Sequence, residues 1–134
     1  MRRELEKAYR ATTYETPPLG LKLRIGKTSS PLDAVLRHFG ANDWAFISAA
    51  NPRSQPTDPK TNARNHQRLR QQMREAGYLF FEGYSIADNR DWSPEASLLV
   101  LGIDQQTAIE TGRAYSQNAV VCGRAEMPAE LIWC

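Results

Sequence analysis

The sequence predicts a single α/β domain, residues 1–134, with a mixed sheet of about six or seven strands and three packed helices. Three observations predict it. Two runs, 44–50 (W-A-F-I-S-A-A) and 97–103 (S-L-L-V-L-G-I), are apolar on both faces, as interior strands of a covered sheet are. Each is followed by a helix start marked by aspartate, Asp58 with Pro59 behind it and Asp104. Strand and helix chemistry alternate along most of the chain, the order found in sheets covered by helices.

Each element has its own reason. Residues 2–8 read as a short helical lead-in. Ala11–Thr16 carries Thr and Tyr, which suit a pleated surface, and Pro17, Pro18 and Gly20 then turn the chain. Leu21, Leu23 and Ile25 alternate with Lys22 and Arg24, so this strand is half-buried and pairs with the first as a hairpin at one side of the sheet. Ser30 caps a helix with Pro31 at its first position and Asp33 at its third. Leu32, Val35, Leu36 and Phe39 fall at helical spacing, and Gly40 stops the helix.

Strand 44–50 ends at Asn51-Pro52, since proline has no amide proton for a ladder. A basic helix over 59–76 places Asn62, Asn65, His66, Leu69 and Met73 toward one side. Gly77 ends it, strand 78–84 follows, and 86–94 is a polar loop holding Asp88, Asn89, Arg90, Asp91 and Trp92. After strand 97–103 a third helix carries Ala108, Ile109, Gly112 and Tyr115 on one face. Strands 119–123 and 130–134 complete the chain.

Composition narrows the function classes. With 41% apolar and 24% charged residues the chain is globular, and no apolar run approaches the ~20 residues that span a bilayer. Residues 1–10 lack the apolar core of a secretory signal, and the two cysteines, Cys122 and Cys134, make no disulfide framework and no metal motif. The reading is a reduced cytoplasmic protein with no cofactor and no metal.

The net charge of +2 is unevenly placed. Arg53, Lys60, Arg64, Arg68, Arg70 and Arg74 face only Asp58 within 53–74, a local charge of +5 that points to an anionic partner. Gly26-Lys27-Thr28 is not a Walker loop, because Leu21 stands where that loop needs its first glycine.

Chain direction gathers the polar residues. Strands 44–50 and 78–84 are joined by a helix and should run parallel, as should 97–103 and 119–123. The short loop 86–94 makes an antiparallel return. One rim then collects Ser48, Asn51, Arg53, Ser54, Glu95, Ser97, Gln117 and Asn118. The N-termini of the helices starting at Ser30 and Asp58 open there, and Asn62 and Asn65 look in. Phosphate oxygens would sit at the helix ends and Arg53, hydroxyls would take the amides, and Glu95 would be the general acid or base. Each residue also has a plainer reading: Asn51 as a turn residue, Asn62 and Asn65 as braces for the turn, His66 as a bonded interior histidine, Cys122 as a core thiol.

The blocks Y-R-A-T-T-Y, A-F-I-S-A-A-N-P-R-S-Q, N-A-R-N-H-Q-R-L, W-S-P-E-A-S-L-L-V-L-G-I and Y-S-Q-N-A-V-V follow in order between Tyr9 and Val121, within a match that extends to about Leu131. Together they resemble a small bacterial family of unknown function, whose second block usually reads I-T-A-x-N-P-x-S; here Ser48-Ala49-Ala50 stands in. The resemblance implies a compact bacterial cytoplasmic domain and supports Asn51, Pro52, Ser54, Asn62, Asn65, Glu95, Ser97, Gln117 and Asn118 as a set, without giving them roles.

Three functions stay open. The first is a pocket for a nucleotide, sugar phosphate or similar polar metabolite, with transferase or hydrolase chemistry through Glu95. The second is a nucleic-acid or acidic-partner module using Arg64, Arg68, Arg70 and Arg74 of helix 59–76. The third is a regulatory interaction domain without a small ligand.

Overall fold

In the computed structural model, which describes residues 2–89 and 91–134, seven strands form one sheet in the order β2-β1-β4-β5-β3-β6-β7. The strands are β1 (Thr12–Thr16), β2 (Leu21–Leu23), β3 (Asp43–Ser48), β4 (Leu79–Ala87), β5 (Glu95–Leu101), β6 (Ala119–Arg124) and β7 (Glu130–Trp133). Four α-helices accompany them: α1 (Arg2–Arg10), α2 (Ser30–Phe39), α3 (Pro59–Glu75) and α4 (Gln105–Ala114). The lead-in segment is thus a full helix and raises the helix count by one. Arg90, which the sequence places in the loop after β4, lies outside the described residues.

Every neighbouring strand pair is antiparallel. The expected directions nevertheless hold. β3 and β4, joined by α3, run parallel with β5 inserted between them. β5 and β6, joined by α4, run parallel with β3 between them. The helical crossovers skip one strand, so the mixture of directions lies between next-nearest strands.

The two edges of the sheet meet. Ile25, just past β2, forms a parallel bridge to Ala129, just before β7. Gly26 donates its amide to the Ala129 carbonyl at 2.8 Å, and Ala129 donates to the Lys27 carbonyl at 3.1 Å. The sheet therefore curls into a near-closed wall with an inner and an outer face. Trp44 and Phe46 of β3, Leu99 and Leu101 of β5 and Val121 of β6 point inward, where Leu32 and Leu36 of α2 join them. Ala45, Ile47, Leu98 and Val100 point outward onto Leu69 and Met73 of α3 and Ala108 of α4. This accounts for strands that are apolar on both faces.

Inside the curl, two aromatic rings of β3 lie against glycines, one on neighbouring β6 and one on β4, two strands away. A Cβ on Gly123 would stand 2.5 Å from Trp44 Cζ2, and one on Gly83 would stand 2.7 Å from Phe46 Cζ. The glycines admit the rings by close approach.

The helix ends largely follow the sequence. Asp58 caps α3 by accepting from the Thr61 amide, and Asp104 caps α4 by accepting from Thr107. Gly40 closes α2 in the left-handed region at φ 69°. The α2 cap is Ser29, one residue before the expected Ser30, and its Oγ accepts from the Leu32 amide. The expected position of the α2 N-terminus is corrected more substantially. Asp33 in its first turn accepts from the Glu126 amide at 2.9 Å, in the turn between β6 and β7, at the end of the curl opposite Ser48. The Ile25–Ala129 bridge carries the chain there, and α2 plugs that end.

Gly123→Ala is expected to cost about 1–3 kcal/mol by overpacking against Trp44, read as a lower urea midpoint with an unchanged slope. A second expectation concerns Cys122 in the outer core, whose thiol is pushed by burial from 9.0 up to about 12. Between those values the unfolded chain releases a proton that the fold retains, so stability declines as pH rises from 9 toward 12. Cys122→Val should lose less stability than wild type over that window in denaturant titrations.

Candidate functional site

The end of the curl opposite α2 is where the polar residues meet. The C-terminal end of β3, the N-terminal ends of β5 and β6 and the C-terminal end of β4 form this rim, and α1 lies over it. Thr12 Oγ1 donates to the Ala8 carbonyl, Tyr14 Oη to the Tyr9 carbonyl, and Arg24 Nη2 to the Arg10 carbonyl. Tyr9 also meets Trp133 edge to face at 6.1 Å, and the Arg2 guanidinium sits 4.7 Å above the Trp133 ring. These contacts hold α1 as a cover.

Beneath it is a cavity of about 290 Å³. Inward residues of five strands supply Thr12, Tyr14, Phe46, Ser48, Ser85, Glu95, Ser97, Ala119 and Val121. Helix α1 adds Leu5, Ala8 and Tyr9, and the connecting segments add Asn51, Ser54, Trp92 and Gln117. The period of two explains the hydroxyl-lined floor: Phe46 and Leu99 fill the lower half of the curl, and two residues on toward the rim stand Ser48 and Ser97. Ser97 is fully buried, its Oγ 3.4 Å from both Ser85 Oγ and the Glu95 carbonyl. Ser48 Oγ donates to the Ala96 carbonyl and accepts from the Ala50 amide.

The turn after β3 is the most constrained backbone in the site. Asn51, Arg53 and Ser54 are all left-handed, at φ 45°, 57° and 60°. Non-glycine residues in that region cost roughly 1 kcal/mol or more each, so the turn needs partners. Asn62 of α3 supplies two: its Oδ1 accepts from the Asn51 amide, and its Nδ2 donates to Asn51 Oδ1, each at 2.9 Å. Asn51 Oδ1 also accepts from the Thr57 amide, which ties the turn to the start of α3. Arg53 donates its amide to the Ser116 carbonyl at 2.7 Å. Asn118 Nδ2 donates to Ser54 Oγ at 2.8 Å, and Gln117 Nε2 donates to the Ala50 carbonyl at 3.0 Å.

Glu95 stands at the junction of this network and the cavity. Its Oε2 accepts from Asn51 Nδ2 and from Trp92 Nε1, both at 3.1 Å. Both donors are neutral, and Glu95 forms no salt bridge among the described residues. Asn51, Trp92 and Glu95 also line a wider groove of about 730 Å³ on the other side, shared with Asn62, His66 and Asp91. Burial raises the Tyr9 hydroxyl, opposed by its hydrogen bond to Ser54 and reinforced by the Glu95 charge. Burial likewise raises Tyr14, so both phenols stay neutral.

The structure brings together Asn51, Ser54, Glu95, Ser97 and Gln117 on the cavity wall, with Asn62 and Asn118 one bond behind them. It does not bring in Arg53, whose backbone sits at the rim but whose side chain is exposed and lines neither cavity nor groove. Asn65 is half-buried on α3 and also lines neither. His66 is paired as an interior histidine, its Nε2 2.7 Å from Glu82 Oε1, and Arg70 Nε lies 3.1 Å from Glu82 Oε2. Sequence reasoning missed Tyr9, Tyr14, Thr12 and Ser85. The spacing of Leu5, Ala8 and Tyr9 was the available signal for α1, a helical stripe too short to stand out.

Among the described residues no cluster of three His, Cys, Asp or Glu could hold a metal, and no helix is long and apolar enough to cross a membrane. The sequence model of a family described as "Protein of unknown function (DUF3293)" matches residues 47–120, more than half the chain. No curated protein and no solved structure matches.

Asn62→Ala leaves the Asn51 amide without its 2.9 Å partner, an expected loss of about 1–3 kcal/mol. The loss should appear as a lower denaturation midpoint, with the Asn51 amide exchanging faster than those of β5.

Proposed function

The chain belongs to the DUF3293 family, and we propose that within it this domain binds a small polar metabolite in the cavity between the curled sheet and α1. One observation carries the reading. Side chains from residues 9–14, 46–54, 85–97 and 117–121, separate in sequence, converge on one recessed space whose floor is hydroxyl and whose wall is amide and carboxylate. Such spaces, largely apolar with a few fixed polar groups, suit small-molecule ligands. At roughly 30 Å³ for a water-sized group, the volume takes a ligand of about ten non-hydrogen atoms.

The reading shifts from the phosphorylated ligand that the local charge suggested. Arg53 lines neither space and the α2 N-terminus is at the far end, which leaves two of the three supports for a phosphate elsewhere. Among the described residues, Glu95 is the only carboxyl on the cavity wall and no histidine lines the cavity. A lone carboxylate with no second acid and no activated nucleophile supports binding over transferase or hydrolase chemistry. The nucleic-acid reading is weaker as well, since Arg70 is engaged with Glu82 and Arg74 lies 5.9 Å from the Phe80 ring centroid.

Thermal-shift titration against monosaccharides, nucleosides, amino alcohols and sugar phosphates tests the proposal. At a hundredfold excess over Kd a bound ligand adds about 2.7 kcal/mol, seen as a saturable rise in Tm. Ser97→Val, which replaces the floor hydroxyl, should abolish the rise; no stabilisation of wild type by any compound of the set would defeat the reading.

A further inference from the structure

We propose that the ligand of this cavity carries a positively charged nitrogen, an alkyl- or methylammonium head. The inference rests on the cavity reading above and narrows it to a class. Four aromatic side chains, Tyr9, Tyr14, Phe46 and Trp92, line the same space as Glu95. Among the described residues, no lysine or arginine lines either that cavity or the adjoining groove, and the groove adds a second carboxylate, Asp91. This is unexpected in a chain of net charge +2 with seventeen basic residues.

The physics favours one sign of charge. Aromatic faces attract cations through their quadrupoles, and methylated ammonium groups are commonly held in boxes of such rings. Glu95 is held in place by neutral donors on one oxygen, so its charge is positioned without being neutralised by any described cation. At a half-buried position that uncompensated charge acts more strongly than at an open surface. The serine floor contributes acceptors for ammonium N–H groups or for a hydroxyl arm.

Calorimetric and thermal-shift titrations of the full chain at matched ionic strength test this, using choline, tetramethylammonium, the neutral choline isostere 3,3-dimethyl-1-butanol, and inorganic phosphate. Choline or tetramethylammonium should bind saturably, with the isostere at least tenfold weaker and phosphate without effect. Glu95→Gln should weaken the cation tenfold or more and leave the isostere unchanged. Trp92→Leu, at an exposed position, should weaken the cation while Glu95 is intact. Equal or tighter binding of the isostere or phosphate, or cation affinity untouched in both variants, would overturn the proposal. Should neutral sugars or nucleosides stabilise the protein while no ammonium compound does, the charge inference falls and the cavity reading stands; if no compound of either set binds, both fall.

Discussion

Ile25 and Ala129 flank the two outermost strands, and the bridge between them converts an open sheet into a wall that folds back on itself. Only after that closure does one face become an interior. An open sheet of seven strands would need helices on both sides, whereas here α3 and α4 cover the outer face and the sheet covers its own inner one. Closure also explains the paired glycines and aromatics, because a tightly curved inner surface leaves room for the Trp44 and Phe46 rings only where Gly123 and Gly83 lack side chains. Two ends then need stoppers. Helix α2 fills one with Leu32 and Leu36, and α1 covers the other while leaving space beneath.

That space exists because the inward residues change character along the strands. Phe46 gives way to Ser48, Leu99 to Ser97 and Phe81, past Gly83, to Ser85 as each strand approaches the rim. Hydroxyls there are too small to fill the curl, and the strained turn at Asn51–Ser54 is pinned across it by Asn62, Ser116 and Asn118. Backbone strain of this kind survives only where surrounding bonds over-determine it. The amide-rich side chains thus serve the turn first, and Asn51 serves both turn and wall through its bond to Glu95.

Local chemistry made the elements legible. Asp58 and Asp104 announce their helices because a capping carboxylate acts within three residues. The meeting of Asn51 with Glu95 was legible too, because strand direction follows from the lengths and types of the connections. Strand order was not. Periodicity shows that β3 and β5 are both interior, but nothing in it places β5 between β3 and β4, which depends on pairing between distant residues. Arg53 misled for a similar reason: its position at the rim followed from the chain, while its left-handed backbone, which turns the side chain to solvent, did not. Tyr9 escaped notice because the expected lead-in stops at residue 8, whereas α1 runs to Arg10 and carries Tyr9 on the stripe of Leu5 and Ala8.

The indole of Trp92 is 43% exposed and hydrogen-bonded to Glu95, whereas Trp44 is buried at 2% beside Gly123 on the inner wall. Of the three indoles in the chain these two sit in contrasting surroundings, one half wet and tied to a carboxylate, the other dry, while Trp133 packs edge to face on Tyr9 of the cover. With Trp133 replaced by phenylalanine, anything that enters beside Glu95 should change the emission of Trp92 and leave that of buried Trp44 as an internal standard. The fold comes with its own optical gauge of occupancy, needing no attached dye.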